Sequence, residues 1–149
     1  MFAFKPNSDY KDAIERCVYT NQINRSCDFA ELPLIGMENM NPTVNDIMDR
    51  VLVSHAWMGE RFEDYLTNSV VGPDMLRLLR GVTAIVISYE VRPSFYWAVT
   101  GAIYLDADNF WVTPLERDTL NEIPDYSSGL CSDLSCIMPW LYVNDNDYY

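Results

Sequence analysis

At 149 residues the chain has the size of one ordinary domain, and 49% hydrophobic with 21% charged residues makes it globular rather than disordered. Its net charge of −12 argues against a nucleic-acid binder, which needs a basic patch to displace counterions; no Lys or Arg follows Arg117, whereas Asp118, Glu122, Asp125, Asp133, Asp145 and Asp147 do. The same charge disfavours an anionic membrane surface, no stretch reaches the roughly 20 apolar residues of a membrane span, and the acidity reads as solubility first and a calcium-dependent or cationic partner second.

The opening MFAFKPNSDYKDAIER lacks the basic flank and long apolar core of a signal peptide. Residues 8–16 read as a short helix capped by Ser8 or Asp9. Residues 17–42 are irregular, a polar cysteine loop followed by ELPLIGMENMNP, in which Leu32, Leu34 and Ile35 should pin the chain to the core. Cys17 and Cys27 enclose nine residues; Cys131 and Cys136 enclose four. Two local pairs suit two short disulfide loops, with free thiols as the alternative. A metal site fits least, because the spacings match no common repeated zinc pair. Disulfides would place the chain outside the cytoplasm, and without a signal peptide Met1 would then not be the natural start of the gene.

Thr43 opens the clearest helix, with Pro42 before it and Asp46 at the capping-box position. Val44, Ile47, Met48, Val51, His55, Met58, Phe62 and Leu66 follow as one apolar stripe, so the spacing predicts a helix over 43–66, which Gly59 could break or bend. Asp46, Asp49, Arg50, Glu60, Arg61, Glu63 and Asp64 read as its solvated face, with Asp46 and Arg50 paired one turn apart. Pro73 and Asp74 start a second helix that Gly81 stops. Val82–Ser88 is short and β-branched, a buried strand. After Arg92-Pro93, Phe95–Val99 is strand or loop. Ala102–Asp106 alternates Ile103 and Leu105 against Tyr104, as a half-exposed strand would. Thr113-Pro-Leu-Glu116 is a capping box that should open a helix to about Ile123. The fold class is therefore α+β: three to four helices on a small two- to three-stranded sheet, with loop-rich ends tied by local disulfides. The chain divides into an irregular segment at 1–42, a helix–strand core at 43–123 and an acidic irregular tail at 124–149.

The chemistry is sparse. His55 is the sole histidine, and on an apolar stripe it reads first as a satisfied core residue. A zinc protease needs two histidines one turn apart with a glutamate between them, which one histidine cannot supply. Asp106-Ala-Asp108-Asn109 has the look of a calcium loop, but Trp111 and Arg117 stand where such a loop needs glycine and glutamate; a turn with side chains bonding local backbone fits better. No phosphate loop and no G-x-S-x-G is present. Arg92, Tyr96, Trp97 and Tyr104 are candidates to line a groove, or else an aromatic core with a flanking cation.

Two segments, LPLIGMENMNPTVNDIMDRVLVSHAWMGERFEDYL (32–66) and RPSFYWAVTGAIYLDADNFWVTPLERDTLNEIPDY (92–126), resemble the front part of large exported bacterial proteins with a zinc-metallopeptidase-like domain of the lethal-factor-like group. The resemblance covers about two thirds of the chain and implies that Gly101–Leu105 edges a substrate cleft and pairs with an extended peptide or protein. Tyr96, Trp97, Gly101, Ala102, Ile103 and Tyr104 are then the cleft candidates. The family's metal ligands and catalytic glutamate have no counterpart here, so zinc would enter only with a downstream catalytic segment. Three functions follow as expectations: a non-catalytic front portion of such a protein, a stand-alone binding module using the aromatic surface, or a small hydrolase built on His55.

Overall fold

The computed structural model describes residues 1–19 and 27–120, together with 143–144 and 147–148. Its centre is a five-stranded sheet in the order β1-β2-β3-β5-β4. β1 (Phe2–Ala3) runs antiparallel to β2 (Val51–Val53). β2, β3 (Ile85–Ser88) and β5 (Ala102–Asp106) run parallel, with Val51 opposite Ile85 and Ile85 opposite Ile103. β4 (Phe95–Trp97) closes the far side antiparallel to β5. Two further two-residue strands, β6 (Val143–Asn144) and β7 (Asp147–Tyr148), pair with each other. The α+β class holds, but the sheet is larger than the two to three strands expected.

One of the extra strands, β2, comes from a place where the helical and strand periods coincide. Val51 lies on the apolar stripe of the expected 43–66 helix, yet Val51-Leu52-Val53 is a central strand with all three residues buried. That segment is α3 (Val44–Met48), then β2, then α4 (Ala56–Asn68). The start of the first piece was legible: Thr43 accepts from the Asp46 amide and Asp46 accepts from the Thr43 amide, a complete capping box. Three consecutive β-branched or aliphatic residues covered on both faces are what a parallel strand demands. Gly59 does not break α4. It sits inside the helix because the Phe4 ring packs where a side chain would stand, 2.1 Å from an added Cβ.

Two apolar layers cover the sheet. On one face Val51, Val53, Ile85 and Ile87 meet Ile47 and Met48 of α3, Met58, Phe62 and Leu66 of α4, and Leu120 of α6 (Pro114–Leu120). The connection from α4 to β3 carries α5 (Gly72–Leu78) and a tight turn ending at Gly81. On the other face Leu52, Val86, Ala102 and Tyr104 meet Ile14, Cys17, Val18 and Leu32. The covering residues come from the wide helical turn Ile14–Val18 that follows α1 (Lys11–Ala13) and from the loop leading to α2 (Ile35–Glu38). Ser8 does not cap α1 with the bond expected; its hydroxyl accepts from the Tyr10 amide and donates to the Asp49 carbonyl.

Arg50 corrects the solvated-face expectation most sharply. It is 2% exposed, not paired to Asp46, and its guanidinium donates to the carbonyls of Pro33 and Thr83 with its centre 3.2 Å from the centroid of the Tyr10 ring. One planar, always-charged fork can satisfy two carbonyls and stack on an aromatic face together, which a lysine could not do. It joins α1, the 32–34 loop and the entrance to β3. α6 opens as its sequence requires: Glu116 accepts from the amides of Val112 and Thr113, and Arg61 of α4 donates to it at 2.7 and 2.9 Å.

Candidate functional site

The carboxyl ends of parallel strands are where open α/β sheets place their ligands. Here β2 leads into Ser54 and His55, β3 ends at Ser88 and runs into Tyr89 and Glu90, and β5 ends at Asp106 directly opposite Ser88. His55 is therefore not in mid-helix. It is the half-buried residue before α4, with its ring edge-on to Tyr89 at 5.7 Å between centroids. Its Nδ1 lies 3.2 Å from the neighbouring Ser54 Oγ. Among the described residues no carboxylate hydrogen-bonds the ring, and Ser54 Oγ also contacts the Met58 sulfur at 3.2 Å. A nucleophile needs its base oriented by a third group, and this pair lacks one within the described chain. Asp106 behaves as a turn residue: its carboxylate accepts from the Asp108 amide at 2.9 Å, and its carbonyl accepts from Asn109. Among the described residues no three His, Cys, Asp or Glu side chains converge as metal ligands.

The sequence's cleft candidates separate into two groups. β5 lies between β3 and β4, so its main chain is already used on both sides. The strand expected to meet a substrate is thus internal, with Gly101, Ala102 and Tyr104 buried and Ile103 half-buried on the α4 face. Its burial follows from the hairpin with β4. The Gly101 amide donates to the Trp97 carbonyl and Gly101 takes φ +66°, a left-handed turn position that favours glycine. Tyr104 is 3% exposed rather than half-exposed; its hydroxyl donates to the Val18 carbonyl and lies 3.0 Å from the Thr100 hydroxyl, bonds that make burial of a phenol tolerable. Burial raises the Tyr104 pKa above the usual tyrosine range.

Among the described residues the outer edge is β4, and it is aromatic. Phe95 and Tyr96 are exposed and Trp97 is half-buried. Alternation sends Phe95 and Trp97 to the Tyr104 face and Tyr96 to the other. Phe95 stacks on Tyr104 with centroids 4.6 Å apart and planes 4° apart, and Trp97 tilts against the same ring at 6.4 Å. Beside them opens a cavity of about 240 Å³, walled by Tyr19, Glu90, Arg92, Phe95, Trp97 and Tyr104, with Val18 and Val91 as its apolar part. The Tyr19 hydroxyl donates to one Glu90 oxygen, and the Tyr89 hydroxyl lies 3.4 Å from the other. Burial, followed by that carboxylate, pushes the Tyr19 phenol well above its ordinary range. Arg92 is engaged with Asp108 at 3.0 Å. Of the four groove residues proposed from sequence, Arg92, Trp97 and Tyr104 come together and Tyr96 does not. Phe95, Tyr19 and Glu90 were missed. Phe95 was recoverable, because strand period two places it with Trp97; Tyr19 and Glu90 arrive by tertiary packing, which no local signal marks.

Cys17 and Cys27 form a disulfide with Cα atoms 5.5 Å apart, which ties the wide turn beneath this cavity to the 27–34 loop. The expected Cys131–Cys136 pair and most of the acidic tail lie outside the described residues. A second hollow, about 720 Å³, lies on the opposite face among Phe62, Tyr65, Met75, Leu105 and Phe110. No described helix is long and apolar enough to cross a membrane. Comparison with protein-family models, curated proteins and solved structures finds no match to this chain.

Proposed function

We propose that this chain is a non-catalytic recognition module that takes up an extended peptide along β4. The observation that carries the reading is the edge itself: a strand paired on one side only among the described residues, exposing Phe95 and Tyr96, with an aromatic cavity on one face. An edge strand presents a row of unpaired N–H and C=O groups, the template on which β-augmentation adds a strand. Main-chain bonds then supply affinity, and side chains pointing alternately into the cavity supply selectivity. In the metallopeptidase-like setting that the sequence resembles, the cleft strand is Gly101–Leu105, so β4 beside it would take that place, and any zinc with its two-histidine helix would come from a segment other than this chain, whose sole histidine is His55.

The test is a register scan. Heptapeptides selected from a random library on the immobilised chain are resynthesised with single N-methyl groups at successive positions. Strand addition uses alternate peptide amides, so methylation should abolish binding at every second position and be tolerated between. Tolerance at all positions contradicts the reading.

A further inference from the structure

We propose that the cavity beside β4 is a cation site, built to take the ammonium group of a lysine side chain in the added strand. Its walls include the aromatic rings of Tyr19, Phe95, Trp97 and Tyr104, and its one lining carboxylate, Glu90, is held in no ion pair among the described residues. Aromatic rings attract cations through their negative faces, and a cage of several rings with an adjacent carboxylate is how ammonium groups are recognised. The hydrogen bonds from Tyr19 and Tyr89 hold the Glu90 carboxylate in place at the cavity. Arg92, the other charged wall, is offset by Asp108 at 3.0 Å, so among the described residues the cavity with this pair carries a net single negative charge. A volume of about 240 Å³ accommodates an ammonium with its last methylenes. The field of the whole chain points the same way, since a net charge of −12 draws cationic partners toward it.

This deepens the β4 reading and rests on it for how the side chain arrives; the site itself does not. Two probes therefore separate the claims. The first is the peptide acetyl-Thr-Val-Xaa-Val-Thr-amide with Xaa as Lys, norleucine or Glu. The second is tetramethylammonium chloride, with tert-butanol as its neutral counterpart. Both are followed by the shift of the Trp97 indole N–H in a spectrum of the intact chain. The proposal expects the Lys peptide to bind roughly tenfold more tightly than norleucine, the Glu peptide to bind most weakly, and tetramethylammonium to shift Trp97 where tert-butanol does not.

Glu90→Gln keeps an acceptor for Tyr19 and should weaken the Lys peptide roughly fivefold, whereas Arg92→Gln should not weaken it. If the three peptides bind equally and tetramethylammonium is silent, the cation site is overturned while strand addition stands. If no peptide binds but tetramethylammonium shifts Trp97 and Glu90→Gln removes that shift, the site stands and strand addition fails. Silence from every probe overturns both. A thermal melt of each variant, matched to the parent, shows that a loss of binding is not a loss of fold.

Discussion

Replacing Tyr104 with Phe removes one oxygen from the floor of the candidate site. The ring keeps its place against Phe95, because the stack at 4.6 Å does not involve the hydroxyl. What changes is the Val18 carbonyl, which accepts that hydroxyl within a residue that is 1% exposed. The Thr100 hydroxyl keeps the Trp97 carbonyl as its acceptor. One buried carbonyl is thus left without its side-chain partner, at a cost of about 1–3 kcal/mol. Against a total stability of roughly 5–15 kcal/mol that is a large fraction. In urea unfolding followed by tryptophan fluorescence, a loss near ~2 kcal/mol lowers the midpoint by about 1 M if the slope is ~2 kcal/mol/M. The slope itself should not change. Ligand binding at β4 should survive, since the aromatic wall does. A midpoint within ~0.2 M of the parent refutes the claim that this hydroxyl clamps β5 to the 14–18 turn.

Arg50→Met should destabilise by about 2–3 kcal/mol, the loss of two carbonyl partners and the Tyr10 stack being partly offset by relief of a buried charge; an unchanged urea midpoint contradicts the bracing role. Gly101→Ala should cost about 2 kcal/mol, because a φ of +66° is unfavourable to an L side chain and the new Cβ meets Thr83 Cγ2 at 2.9 Å; a thermal melt matching the parent contradicts the turn assignment. The Glu116 carboxyl, held by the Val112 and Thr113 amides and by Arg61, has its pKa lowered from 4.5 to about 2. A depressed folded-state pKa means that its contribution is fully present above the unfolded value and is lost as pH falls from about 4.5 through about 2. Acid titration of α6 amide signals should show that loss, and Glu116→Gln should flatten it over the same window.

The α6 cap, the Thr43 cap, β3, β5 and the turn after Asp106 were legible because each is fixed by residues within four positions of one another. β2 was not. Val51 and His55 fit a helical stripe as well as Leu52 fits a strand, and only the neighbours β1 and β3 decide between them. Arg50 misled for a related reason: a charged residue next to an acidic helix looks solvated until the Tyr10 ring and two distant carbonyls close over it. The same holds for the site. The aromatic segment was visible, but which strand forms the edge depends on β4 folding back over β5, and Glu90 and Tyr19 meet across 71 residues of chain.

Amide hydrogen exchange across β4 tests the account most directly. With the lysine peptide bound, amides within Phe95–Trp97 that face outward should slow markedly, and those of β5, already paired on both sides, should change little. Protection confined to the hollow among Phe62, Tyr65, Met75 and Phe110, with β4 unaltered, would contradict it.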